Sequence, residues 1–256
     1  MIKYYFQLLR VPQWIKNLFV FVPLMFSLHL FEADYFLASL KAFVIFCLAS
    51  SFIYIINDII DIDADAVHPT KKFRPLPSGK ISKQSAWITS ILIFLFLILL
   101  SFISPIEFIY FLASFILLNI IYSVYFKHIV IFDVFSIAAG FTIRVLAGAA
   151  IIGVPVSSWL VLTTMFISLF LGVMKRHSEL EQITEREITP TRKVLAEYSL
   201  TFTNQMATVA AAGVIICYAL YTVSQRTVSV FGTENLIYTT PFVVFGIFRF
   251  MYLEYL

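Results

Sequence analysis

Charge is the scarcest ingredient of this 256-residue chain: 13% of its side chains are Asp, Glu, Lys or Arg, while 61% are hydrophobic and 17% aromatic. Soluble domains average about 25% charged residues, so this composition cannot cover a molecule in water, and the chain reads as an integral membrane protein. Cysteine is nearly absent as well. Cys47 and Cys217 fall in apolar runs with neither metal-ligand spacing nor a disulfide pattern, which leaves packing as their role. Familiar nucleotide and protease signatures are missing: no Gly-x-x-x-x-Gly-Lys-Ser/Thr, no Gly-x-Gly-x-x-Gly and no His-Glu-x-x-His. The first apolar run contains Pro23 and lacks a small-residue cleavage site, so it is expected to be retained as a span and not removed as a signal peptide.

What is present is a series of apolar runs of membrane-crossing length, about 20 residues each. Eight spans are expected, at about 18–33, 36–57, 84–104, 106–124, 131–152, 157–175, 203–223 and 237–254. They form an all-α transmembrane bundle in a single domain, 1–256, with two long polar loops at about 58–83 and 176–200. Lysines and arginines crowd the connections on one side, and Lys41 and Arg226 stand almost alone on the other. The positive-inside rule then puts both long loops in the cytoplasm. A chain whose polar motifs all face the cytosol suits an enzyme acting on a polar cytosolic molecule.

The polar residues inside that frame are few and clustered. Four aspartates lie between positions 58 and 65, in Asn57-Asp58-Ile59-Ile60-Asp61-Ile62-Asp63-Ala64-Asp65. At about 100° per residue, Asn57, Asp58, Asp61 and Asp65 share a helical face, and Asp63 points away. Crowded carboxylates repel, and the usual offset is a hard divalent cation shared with a phosphorylated substrate. The bland alternative is a solvated acidic helix end. The same loop continues through His68, Lys71, Lys72 and Arg74-Pro75, so acids are followed at once by cations able to grip phosphate. His68, lone and before a proline, reads as a local hydrogen-bonding residue.

Further cations stand at the other motifs. Lys175 and Arg176 open the second loop with Glu179 on the same helical stripe, and are expected to approach the aspartates and bind phosphate. Lys16 follows Gln13-Trp14 at headgroup depth, where it could receive an anionic lipid or simply anchor the chain. Tyr122 and Lys127 border the cytoplasmic end of the fourth and fifth spans. Arg144 lies about 16 Å along its helix from Asp133, inside the bilayer, where it must face protein or a wet cavity.

These residues resemble the UbiA-type intramembrane prenyltransferase superfamily. The resemblance rests on Asn57-Asp58-x-x-Asp61-x-x-x-Asp65 with Arg74-Pro75, on Gln13-Trp14-x-Lys16-Asn17, and on the placement of Tyr122, Lys127 and Asp133. It covers nearly the whole chain. It implies a helical fold, usually of nine spans, around a central cavity open to the cytoplasm; eight are visible here, so a ninth is expected to be missing or not included. Where the family usually offers a second aspartate cluster, this chain has Lys175-Arg176-His177-Ser178-Glu179. That departure is similar to the decaprenyl-phosphate phosphoribosyltransferase branch. The branch implies transfer of 5-phosphoribosyl from phosphoribosyl pyrophosphate to polyprenyl phosphate, giving a cell-wall precursor lipid at the inner face of the plasma membrane.

On that implication Asp58, Asp61 and Asp65 hold Mg²⁺ and carry the catalysis. Lys16, Asn57, Lys71, Arg74, Tyr122, Lys127, Arg144, Lys175, Arg176 and Glu179 bind substrates. Membrane lipid is a partner, a homo-oligomer is compatible, and no nucleic acid is expected. Two rival readings remain at this point: a prenyltransferase moving a polyprenyl chain from its diphosphate to an aromatic acceptor, and a non-catalytic transporter or lipid-binding protein.

Overall fold

Backbone amides in hydrocarbon find no water, so apolar runs close their hydrogen bonds within helices. The computed structural model describes residues 1–186 and 193–254, and among them there are helices and no strand. The chain begins with α1 (Ile2–Leu8), a 3₁₀ stretch over Val11–Phe21 and α2 (Val22–Phe26). Then come α3 (Ala33–Ile60), α4 (Ile62–Ala66), α5 (Lys83–Ser101), α6 (Ile106–Val124), α7 (Phe132–Ile152) and α8 (Ser158–Arg186). The last elements are α9 (Leu200–Val223), α10 (Gln225–Phe231) and α11 (Thr240–Glu254). Seven helical stretches are long and apolar enough to cross a membrane: α3, α5, α6, α7, α9, Ser158–Ile183 of α8 and Asn235–Glu254. The protein is an integral membrane protein.

The expected first span, 18–33, takes a different form. Its apolar helix is the shorter Val11–Phe26, and the chain turns before α3, with Leu28 at φ 63°. Proline stands at the start of both the 3₁₀ stretch and α2. Each proline removes an amide donor and fixes φ, which suits helix starts and not the middle of a 16-residue span. The second expected loop, 176–200, also differs. Helix α8 runs on to Arg186, residues 187–192 lie outside those described, and a 3₁₀ turn covers Lys193–Glu197.

The described fold comprises two compact units, 1–123 with 147–154, and 124–146 with 155–256. In the first, α3 is the central element. Phe46 of α3 meets Phe108 of α6 edge-on at 6.0 Å between centroids and Phe115 at 5.1 Å, all three fully buried or nearly so. The Gln-Trp-x-Lys-Asn segment is stitched onto the same helix. Trp14 Nε1 donates to Ser51 Oγ at 3.0 Å, that hydroxyl donates to the Leu9 carbonyl at 2.8 Å, and buried Asn17 accepts from Ser50. Trp14 is therefore tied to protein at its polar end.

Gly148 packs directly on the backbone of the 3₁₀ stretch: a Cβ there would overlap the Val20 carbonyl. A backbone carbonyl cannot rotate away as a side chain can. Gly148→Ala is expected to destabilise the protein by about 1–3 kcal/mol, as overpacking does. Thermal unfolding of the detergent-solubilised variant checks this, and an unchanged midpoint would refute it.

In the second unit α8 lies along α9. Leu169, Phe170, Val173 and Met174 of α8 fit against Ala207, Ala210, Ala211 and Val214 of α9. The small residues of α9 let the two backbones approach closely, the usual means of helix association where lipid supplies no hydrophobic drive.

Candidate active site

The inner end of α3 carries the acidic run. The helix ends at Ile60, and Asp61 (φ −88°, ψ 9°) both closes α3 and opens α4. Hydrogen bonds nonetheless continue through the bend, from the Asp61 amide to Asn57 and from the Asp65 amide to Asp61. The helical spacing read from the sequence thus survives, and it brings Asp58 and Asp65 to one place. A single nitrogen, Arg74 Nη1, donates to Asp65 Oδ2 at 2.5 Å and to Asp58 Oδ1 at 3.2 Å. Lys71 Nζ stands 3.4 Å from the other Asp65 oxygen.

Asp58 has a second cation. Arg10 Nη2 donates to Asp58 Oδ1 at 2.5 Å, and its guanidinium carbon lies 4.5 Å from the centre of the Tyr54 ring. Arg10 sits in the left-handed region (φ 52°, ψ 44°), a backbone state that costs a non-glycine residue roughly 1–2 kcal/mol. The ion pair and the ring hold it there. Asp58 and Asp65 are 3% and 2% exposed, while their cations reach partly into water; the buried acids would be costly without those partners.

Beside Asp58 a cavity of about 620 Å³ opens between α1, the start of the 3₁₀ stretch, α3 and the basic loop. Lys3, Gln7, Arg10, Asp58, Thr70 and Arg74 contribute to its lining.

The remaining acids of the run are distinct. Asp61 is half-buried, and among the described residues its carboxylate has no hydrogen-bond or ion-pair partner; Asp63 is exposed. Asn57 Nδ2 donates to Ser123 Oγ of α6 at 2.9 Å, which fixes that side chain beside the acids. His68 Nδ1 accepts from the Thr70 and Lys71 amides and shapes the loop, the local role its sequence context suggested. Lys16 is exposed and Tyr122 half-buried. Among the described residues no three His, Cys, Asp or Glu side chains form a metal-binding group by themselves. The donor chemistry fits Mg²⁺ in another way: that ion is usually held by one or two carboxylates plus substrate phosphates and not by an all-protein cage. Asp61 offers an uncommitted carboxylate, and Asp58 and Asp65 offer oxygens now held by cations.

The second unit holds the second motif. Arg176 is 2% exposed: its Nε donates to Asp133 Oδ2 and its Nη1 to Glu179 Oε2, each at 2.7 Å. Tyr198 completes the group, donating its hydroxyl to Asp133 Oδ1 at 2.7 Å while accepting from the Ile131 amide at 2.8 Å. Burial, and then the bond to Asp133, push the Tyr198 hydroxyl well above the usual tyrosine value, so it stays a donor near neutral pH. Lys175, in contrast, is exposed, with Glu179 at 4.0 Å. Lys127 is half-buried in the 3₁₀ turn Phe126–His128. Arg144 is buried, its guanidinium 5.1 Å from the centre of the Phe141 ring.

Two partnerships are not visible in the sequence: Arg10 with Asp58, and Tyr198 with Asp133. A weak signal existed for the first, since Lys3, Gln7 and Arg10 recur at helical spacing ahead of the Gln-Trp motif.

Residues 18–253 match the UbiA prenyltransferase family. The chain belongs to that family. The decaprenyl-phosphate phosphoribosyltransferase of Mycolicibacterium smegmatis is 36% identical to it over 220 residues, 84% of this chain and 69% of the relative. The protein of that name from Mycobacterium tuberculosis is 30% identical over 217 residues, 83% of this chain and 72% of the relative. A solved UbiA homolog from Archaeoglobus fulgidus, bound to GPP and Mg²⁺, superposes with a TM-score of 0.75 over 98% of this chain and 86% of its own, at 17% identity. That last likeness shows the fold alone. As a UbiA family member the protein is a membrane-embedded transferase, which sets aside the transporter reading.

Proposed function

We propose that this UbiA family member transfers 5-phosphoribosyl from phosphoribosyl pyrophosphate to a polyprenyl phosphate and releases pyrophosphate, as one transferase domain working at the cytoplasmic face of the plasma membrane. The observation that carries the reading is a pair of buried aspartates matched by arginine and lysine, with Asp58, Arg10 and Arg74 opening onto the cavity of about 620 Å³. Such a site suits a metal-bound diphosphate. The relatives named for the same transfer support it, as does a second motif that presents the exposed Lys175 where the resemblance implies acids.

Asp58, Asp61 and Asp65 would hold Mg²⁺ against the donor diphosphate; when bound, the ion stabilises the charge that develops on the leaving pyrophosphate. Arg74 and Lys71 meet the diphosphate oxygens, and Asn57, fixed by Ser123, orients them. Lys16 receives the lipid phosphate. The bond from ribose C1 to the diphosphate oxygen breaks and a lipid phosphate oxygen bonds to C1. That oxygen is already anionic near neutral pH, so positioning and charge stabilisation supply most of the rate and no strong base is needed.

Lys175 is assigned to the donor phosphates, with Glu179 placed beside it at 4.0 Å, and Glu179, Tyr122 and Lys127 to the substrates. Arg144 is assigned as a polar hub within its helix. Lys175→Ala should raise the KM for phosphoribosyl pyrophosphate about tenfold while the protein stays folded, because one exposed charge-assisted contact is worth about 1.5–3 kcal/mol. An unchanged donor KM would remove Lys175 from the site.

The match of residues 18–253 to the UbiA prenyltransferase family favours a second reading, prenyl transfer to an aromatic acceptor. Purified protein offered labelled phosphoribosyl pyrophosphate with polyprenyl phosphate, and separately prenyl diphosphate with 4-hydroxybenzoate, distinguishes them. Product in the first mixture alone is expected, and product in the second alone would overturn the proposal.

A further inference from the structure

Asp58 and Asp65 are acids that the proposed function gives to Mg²⁺, and both are already engaged by cations. Arg10 and Arg74 share Asp58; Arg74 and Lys71 share Asp65. These two carboxylates against three cations leave one net positive charge, and Asp61, without a partner among the described residues, brings the set to neutrality. A divalent ion arriving alone would therefore add two positive charges to an already balanced group whose two paired carboxylates are buried. It would also have to displace two guanidinia held at 2.5 Å. A diphosphate brings the opposite charge, more than the 1.5–2 or so of a single phosphate monoester, so ion and diphosphate together come close to restoring balance.

The geometry supplies the other half of the exchange. Arg10, Arg74 and Asp58 line the same cavity of about 620 Å³, so a diphosphate in it would meet both guanidinia without any helix moving. A planar guanidinium that leaves a carboxylate finds in a phosphate an equivalent two-oxygen partner. Arg10 is poised for this by its left-handed backbone and by Tyr54, which can keep the guanidinium over the ring while its N–H groups change partner.

Resting on the metal-diphosphate reading of this site, we propose that Arg10 and Arg74 are exchange partners of the metal. Before loading they neutralise Asp58 and Asp65; on loading they release both carboxylates to the ion and turn onto the diphosphate, so that metal and donor bind together and neither binds well alone. Arg10 thereby becomes a donor-binding residue and a guard against metal entering without donor.

The test is equilibrium dialysis of the full chain in lipid nanodiscs against Mn²⁺ alone, and of labelled pyrophosphate (the product of the proposed reaction) with and without Mn²⁺. Wild type should hold Mn²⁺ weakly and pyrophosphate only when Mn²⁺ is present. Arg10→Met should bind Mn²⁺ alone about tenfold more tightly and pyrophosphate with Mn²⁺ about tenfold more weakly, within the usual 5–150-fold range of coupling between ligands. Arg10→Lys, which keeps the charge and covers the case in which the methionine variant fails to fold, should leave Mn²⁺ binding as weak as in wild type. If Arg10→Met binds Mn²⁺ no more tightly, or Arg10→Lys binds it as tightly as the methionine variant is expected to, the exchange is wrong while the metal site stands. If wild type retains no pyrophosphate at any Mn²⁺ concentration, the metal-diphosphate reading itself falls.

Discussion

Asp58→Asn is expected to lower kcat/KM for phosphoribosyl transfer by about 10²–10³-fold, the loss typical when one group that stabilises developing charge is removed. The substitution keeps the shape of the side chain and removes its charge. It withdraws an oxygen from the proposed metal and leaves Arg10 and Arg74 to share Asp65, which is 2% exposed and already accepts from Arg74. Excess positive charge in that cavity should also weaken Mn²⁺ binding directly, a readout separate from turnover. Asp63→Ala is the matched control. It lies in the same acidic run but is exposed, and activity within about twofold of wild type is expected. Normal turnover by Asp58→Asn with Mg²⁺ present, in a variant that elutes as a monodisperse membrane protein, would remove the aspartates from the chemistry.

The acidic site was legible because two periodicities coincide there. A helix repeats every 3.6 residues or so, and Asp58, Asp61 and Asp65 follow that repeat closely enough that even a bend at Asp61 keeps Asp58 and Asp65 on one guanidinium. Seven spans were legible for a simpler reason, since lipid imposes length and apolarity on any helix that crosses it. The 18–33 segment misled because hydropathy does not register what Pro12 and Pro23 do to the hydrogen-bond ladder.

Pairings across distance were harder. Arg10 reaches an acid 48 positions away and Arg176 one 43 positions away. From sequence, a cation at a helix end aimed at substrate looks the same as one aimed at a buried carboxylate. Only the presence of an uncommitted acid nearby separates them, and proximity between distant segments is not written in local pattern. Trp14 shows the same limit: an indole at the membrane interface reads as an anchor until Ser51 is found at its nitrogen.

Arg176 is where that ambiguity has the largest consequence. The sequence places it beside Lys175 as a phosphate ligand, whereas in the fold it is 2% exposed and joined to Asp133, which is wholly buried. Breaking a buried ion pair by removing one partner costs about 3–5 kcal/mol, because the remaining charge is left without compensation. Arg176→Met is therefore expected to reduce the yield of folded protein and lower the thermal midpoint sharply, and Asp133→Asn should do nearly the same from the other side. The two changes share one interaction, so combining them should cost less than their sum; a coupling of about 0.5–3 kcal/mol is typical of contacting residues. Tyr198→Phe, which removes one donor from Asp133 and leaves the ion pair in place, should be milder by comparison. A phosphate ligand would give the opposite pattern: a normal thermal midpoint, a raised KM for phosphoribosyl pyrophosphate, and no coupling to Asp133. That pattern is the one expected of Lys175→Ala, so the two adjacent cations of a single motif, measured side by side for stability and donor KM, separate the residue that builds the helix end from the one assigned to the donor.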